Sequence, residues 1–97
     1  MMDEPVQTFV SVWDALEETS EEAANMRLRS ELANAIRSEV EAWQLTQAQA
    51  AARLGVTQPR LNDLLRGRLT RFSLDALVGL ANRARLAVRL EITQVAA

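Results

Sequence analysis

Apolar side chains recur along this chain at two different periods. Ala24, Leu28, Leu32, Ala35, Ile36, Val40 and Trp43 return at steps of three and four, which lays one apolar stripe along a helix. Thr19 and Glu22 have the spacing of a capping box, so the pattern predicts a helix that starts near Thr19 and runs unbroken to Trp43 as the longest in the protein. Residues 5–18 fit either period. Val6, Thr8, Val10 and Val12 alternate as in a strand, whereas Phe9, Val12, Trp13 and Leu16 have helical spacing. The expectation is an extended lead-in followed by about one helical turn. This divides the chain into an acidic N-terminal segment, residues 1–19, partly extended or flexible, and a helical domain, residues 20–97.

Past Trp43 the pattern breaks into short units. Thr46 is a candidate N-cap for a helix of strong helix formers, Gln47 to Leu54, and Gly55 can take the left-handed conformation that ends it. Thr57 can cap a second helix, in whose first turn Pro59 forfeits no hydrogen bond; that helix runs to Arg66 and Gly67 closes it. Ala50, Leu54, Val56, Leu61 and Leu64 lie where two crossing helices would share a small core, and Ala51 lets them approach closely. With Leu61, Leu64 and Leu65 turned inward, the outward side of the second helix carries Pro59, Asp63 and Arg66, flanked by Arg60 and Asn62, with Gln58 at its exposed N-terminal end. Side-chain amides and guanidinium groups on one helix face are the chemistry that reads base edges in a major groove. The pattern alone also fits an ordinary corner between two helices in a small helical protein.

Residues 68–72 read as a loop. Ser73 caps a helix from Leu74 to about Arg83, with Leu74, Leu77, Val78, Leu80 and Ala81 on its buried side and Phe72 stapling its start. The period then changes to two: Leu86, Val88, Leu90 and Ile92 alternate with Ala87, Arg89, Glu91 and Thr93, which predicts one short C-terminal strand. A lone strand leaves its backbone groups unpaired. Its partner could be the same strand in a second copy, the Val6–Val12 segment or another protein; Arg89 and Glu91 would meet as opposite charges across a twofold axis, which favours an antiparallel homodimer through Leu86, Val88, Leu90 and Ile92.

Composition narrows the chemistry. The 97 residues are one domain's worth of chain, without cysteine or histidine, which excludes disulfides, the common zinc sites and histidine-based acid–base catalysis. With no carboxylate pair set on an apolar concave face, neither an enzyme nor a cofactor or metal is expected. No apolar run reaches membrane-spanning length, and the acidic start MMDEPVQTF is unlike a signal peptide, so the expected location is cytoplasmic. The net charge of −2 hides a segregation: residues 1–22 carry seven acids and no base, while residues 53–71 carry five arginines against Asp63 alone. The second cluster is a footprint for phosphate contact.

The motif Thr46-Gln47, Ala51, Gly55-Val56-Thr57-Gln58, Leu61 resembles, without departure, the helix-turn-helix of Xre and phage-repressor regulators. From about Ser11 to Ile92 the chain is similar to HigA-like antitoxins of bacterial toxin–antitoxin operons, on Thr46-Gln47, Gly55–Arg60, Asp63–Gly67 and Phe72–Val78. The resemblance implies a mainly α, phage-repressor-like bundle of about five helices with one short C-terminal β-strand. It also implies a homodimeric repressor that binds a palindromic operator in double-stranded DNA and controls its own operon. Half-sites would lie about 34 Å apart. Gln58 would be the leading base reader, by a bidentate bond to adenine, with Pro59, Arg60, Asn62 and Asp63 beside it. Gln47, Thr57, Arg66, Arg68 and Arg71 would meet phosphates. Asp63 has two readings, exclusion of wrong sequences or an ion pair to Arg60 or Arg66 that orients the guanidinium. Residues 1–22 likewise have two: a solvated tail, or a decoy for the RNA-binding surface of a toxin ribonuclease, which would make the chain chiefly a protein-binding inhibitor.

Overall fold

The computed structural model describes residues 3–95, with side chains from residue 20 onward. The chain forms α1 (Asp3–Trp43), α2 (Gln47–Leu54), α3 (Gln58–Leu65), a 3₁₀ turn (Leu69–Arg71) and α4 (Leu74–Arg83). Among the described residues, four α-helices therefore stand where about five were expected, and the 68–72 loop contains the 3₁₀ turn.

Helix α1 begins well before Thr19. Its only proline, Pro5, lies in the first turn, where the missing N–H forfeits nothing, and no glycine or proline follows before Trp43. Thr19 and Glu22 thus have capping-box spacing inside a continuous helix; a local cap signal loses to an uninterrupted helical run. The expected extended lead-in at 5–18 is likewise helical backbone. At a rise of 1.5 Å, 41 residues give a rod of roughly 60 Å, which accounts for the 63 Å long axis of the molecule.

Only the C-terminal half of α1 joins the core. Ala33, Ile36 and Val40 are buried, with Leu32 and Trp43 packed at the edge. The stripe read from the sequence is rotated slightly from this face: Ala24, Leu28 and Ala35 are exposed and Ala33 replaces Ala35. The core is completed by Ala50, Ala51 and Leu54 of α2, Leu61 and Leu64 of α3, Phe72, and Leu77, Leu80 and Ala81 of α4. Val78, expected inside, is 42% exposed.

The α2–turn–α3 unit follows the sequence closely. Thr46 Oγ1 accepts from Gln49 N–H at 3.1 Å while Gln49 Oε1 accepts from Thr46 N–H at 3.1 Å, a complete capping box. Gly55 has φ +71°, and Val56 N–H closes the turn on the carbonyl of Ala51 at 2.9 Å. A Cβ at Gly55 would strain the backbone and also lie 3.2 Å from Arg83 Nη1. That guanidinium donates to the carbonyls of Leu54 at 3.1 Å and Gly55 at 3.4 Å, so α4 satisfies the exposed carbonyl end of α2. Thr57 Oγ1 accepts from Arg60 N–H at 3.3 Å and starts α3.

The expected C-terminal strand is absent among the described residues: after α4, residues 86–95 take no regular structure. A strand needs a neighbour for its N–H and C=O groups, and the one candidate within the chain, residues 6–12, is part of α1. Leu86 packs against the core, but Val88 is 49% exposed and Leu90 and Ile92 more than 80%. No helix among the described residues is long and apolar enough to cross a membrane.

Candidate nucleic-acid interface

Helix α3 lies against α2 through Leu61 and Leu64 and turns its polar side to solvent. Gln58 and Pro59 are exposed in its first turn, Asn62 is half-buried, and Arg66, at the C-cap, is exposed. Gln47 is exposed at the start of α2, beside the Thr46 cap. The two helices that carry these residues are short, capped and fixed relative to each other by the Gly55 turn.

The arginines are not equivalent. Arg60 turns inward: its guanidinium stacks on the Phe72 ring, 4.0 Å from the centroid, and Nη1 donates to the Arg71 carbonyl at 2.7 Å. Arg53 stacks over Trp43 at 4.2 Å. Arg68 and Arg71 converge on one atom, Asp63 Oδ1, at 3.2 and 3.0 Å. The Asp63 partners are therefore Arg68 and Arg71, where the sequence suggested Arg60 or Arg66. Partial burial pushes the Asp63 pKa up, but the hydrogen bonds and charges of Arg71 and Arg68 outweigh it and hold the carboxyl below its ordinary value.

Three functional supports escaped the sequence reading. Arg29 on α1 donates to the carbonyls of Leu69 at 2.8 Å and Phe72 at 3.4 Å, pinning the 3₁₀ turn that carries Arg71. Arg37 donates to Asn34 Oδ1 at 3.1 Å and reaches the Leu64 carbonyl, at the end of α3, at 3.5 Å. Arg83 supports α2 as described above. Each is an arginine on or beside a buried helix face, a position where a charge needs partners; that placement was the signal. The planar, many-donor guanidinium suits such carbonyl-capping work better than a lysine would.

A pair of short crossed helices with the second presenting a polar face, braced by a long first helix and by α4, defines a helix-turn-helix protein. The profile of the helix-turn-helix domain matches residues 15–93. A solved structure assigned to the XRE family of transcriptional regulators is 32% identical, with 76% of this chain and 83% of that chain covered and a TM-score of 0.71. No curated protein matches this chain significantly. The chain belongs to the helix-turn-helix domain family, and within it to the XRE type.

Proposed function

We propose that this chain is a sequence-specific DNA-binding transcriptional regulator that acts as a homodimer on a palindromic operator and represses its own operon as the antitoxin of a toxin–antitoxin pair. The observation that carries DNA binding is the exposed polar side of α3, held at both ends by caps and at its Leu64 carbonyl by Arg37, with Arg29 and Arg83 fixing the neighbouring 3₁₀ turn and α2. In this reading α3 enters the major groove, Gln58 reads adenine, and Pro59 and Asn62 contact neighbouring bases. Gln47, Thr57 and Arg66 meet phosphates at the groove edge, joined by Arg68 and Arg71. Arg60, tied to Phe72 and Arg71, serves as a brace for this surface.

A twofold partner is supported by the exposed apolar side chains of Val88, Leu90, Ile92 and Val95, of which Val88 and Leu90 line a groove of about 530 Å³ together with Leu28 and Leu32 of α1 and Val78 of α4. Exposed apolar surface of this kind favours a protein contact. The antitoxin role is supported by the seven acids and no base of residues 1–22, whose charge complements a ribonuclease's phosphate-binding surface. If that segment dominates, the chain is chiefly a toxin inhibitor.

Fluorescence-anisotropy titration of the duplex upstream of the chain's own gene tests the reading. Saturation at two chains per duplex is expected, at concentrations that leave a shuffled duplex unbound; equal affinity for both duplexes contradicts it.

A further inference from the structure

Asp63 occupies an unfavourable place for an acid. It sits in the last turn of α3, whose carbonyl end repels negative charge, and it lies beside the surface proposed above to meet phosphates. Its side chain is only 15% exposed, and two guanidinium groups converge on it. Both contact the same oxygen through a single nitrogen each, and both arginines remain substantially exposed, Arg68 at 43% and Arg71 at 57%. The far end of the pair is fixed as well: Arg71 lies in the 3₁₀ turn, whose carbonyls accept from Arg29 and Arg60. Two cations are thus held in reserve by one anion on a rigid frame.

Building on the DNA-binding reading above, we infer that Asp63 is a specificity-determining residue that holds Arg68 and Arg71 in an ion-pair network, so that random DNA gains little from them. Each guanidinium keeps further N–H groups within reach of a phosphate, but beside the shared carboxylate the two arginines present one net positive charge instead of two. On a loosely held, non-cognate duplex the carboxylate stays in place, and its charge offsets part of what phosphates gain from the pair. When α3 is fully seated, the carboxylate faces the groove, where cytosine and adenine amino groups can donate to it and replace the lost guanidinium contacts. The arginines are then free for phosphates, and the cognate complex alone collects the full electrostatic benefit.

Asp63→Asn tests this, because it removes the charge while keeping the shape and an acceptor oxygen. Affinity for a random duplex should rise about three- to tenfold, with a salt slope steeper by about 0.9, one further phosphate neutralised. Cognate affinity should not rise in step, because the amide oxygen is a weaker acceptor for the base amino groups that the carboxylate meets there, so the specificity ratio falls. In an R68A/R71A background the same substitution should leave random-duplex affinity unchanged. Asp63→Glu, which keeps the charge, should bind random DNA like the wild type. An unchanged random-duplex affinity and slope for Asp63→Asn would overturn the inference. So would an equal rise in the R68A/R71A background, which would mean a general charge effect. Elution from heparin reads the pair without any operator: the Asn variant should need more salt than the wild type. A chain that shows no sequence preference but whose heparin shift is lost in the R68A/R71A background would refute the operator reading and leave standing only the restraint of Arg68 and Arg71 by Asp63.

Discussion

Replacing Gln58 with alanine is expected to weaken binding to the cognate duplex by about 5- to 150-fold, the equivalent of the roughly 1–3 kcal/mol that one bidentate base contact contributes. Binding to random duplex should change by less than about twofold, since the amide carries no charge and non-specific affinity is electrostatic. The residue is exposed, follows the Thr57 cap directly and precedes Pro59, so its backbone is fixed while its side chain is free. Truncation leaves the helix intact, because Gln58 contributes nothing to the buried core. Equal losses on both duplexes, measured by anisotropy at one salt concentration, would remove Gln58 from the base-reading surface.

Phe72→Ala should cost about 3–5 kcal/mol of stability, a large part of the roughly 5–15 kcal/mol that holds a small domain together. The ring is 2% exposed and lies in the core with Ile36, Leu64 and Leu77. It also provides the face on which Arg60 stacks, and its carbonyl accepts from Arg29. The substitution therefore opens a cavity and releases one brace of the α3 surface together. Chemical denaturation with an unchanged m-value and a strongly lowered midpoint is the expected result. A loss under about 1 kcal/mol would show that the ring is not the keystone that its position between α3, the 3₁₀ turn and α4 implies.

The α2–α3 unit was legible almost residue by residue because its determinants are local. Thr46, Gly55, Thr57 and Pro59 each act within a few residues of themselves, and the α2 bounds Gln47–Leu54 and the α3 start at Gln58 follow from them; α3 ends at Leu65, one residue short of the expected Arg66, which is its C-cap. Helix α4 was legible for the same reason, with Ser73 Oγ accepting from Ala76 N–H at 3.1 Å. Where the reading failed, the deciding contact was distant or belonged to another element. At Thr19 a strong local cap signal competed with a helix already propagating through it, and propagation needs no cap. The segment from Leu86 to Ile92 has the alternation of a strand, but alternation states a preference for a half-buried face and supplies no hydrogen-bonding neighbour.

The arginine cluster shows the same division at the level of single side chains. Five arginines between residues 53 and 71 suggested one basic patch, and charge counting could go no further. The fold assigns them separate tasks: Arg53 lies on Trp43, Arg60 on Phe72, Arg68 and Arg71 share Asp63, and Arg66 stands exposed at the end of α3. The contacts involved span up to twelve residues of sequence and depend on the 3₁₀ turn returning Arg71 towards α3. No periodicity encodes such a return. End caps and buried stripes are written in neighbouring residues, while the sorting of like charges into braces and contacts is written in tertiary geometry.

Selection from a random duplex pool, followed by sequencing of the bound fraction, tests most directly whether two copies of α3 read DNA. The expected outcome is an enriched inverted repeat whose half-site centres lie about 10 base pairs, or roughly 34 Å, apart, with adenine at a fixed position in each half for Gln58. A bound pool with no enriched sequence would contradict sequence-specific recognition by this helix.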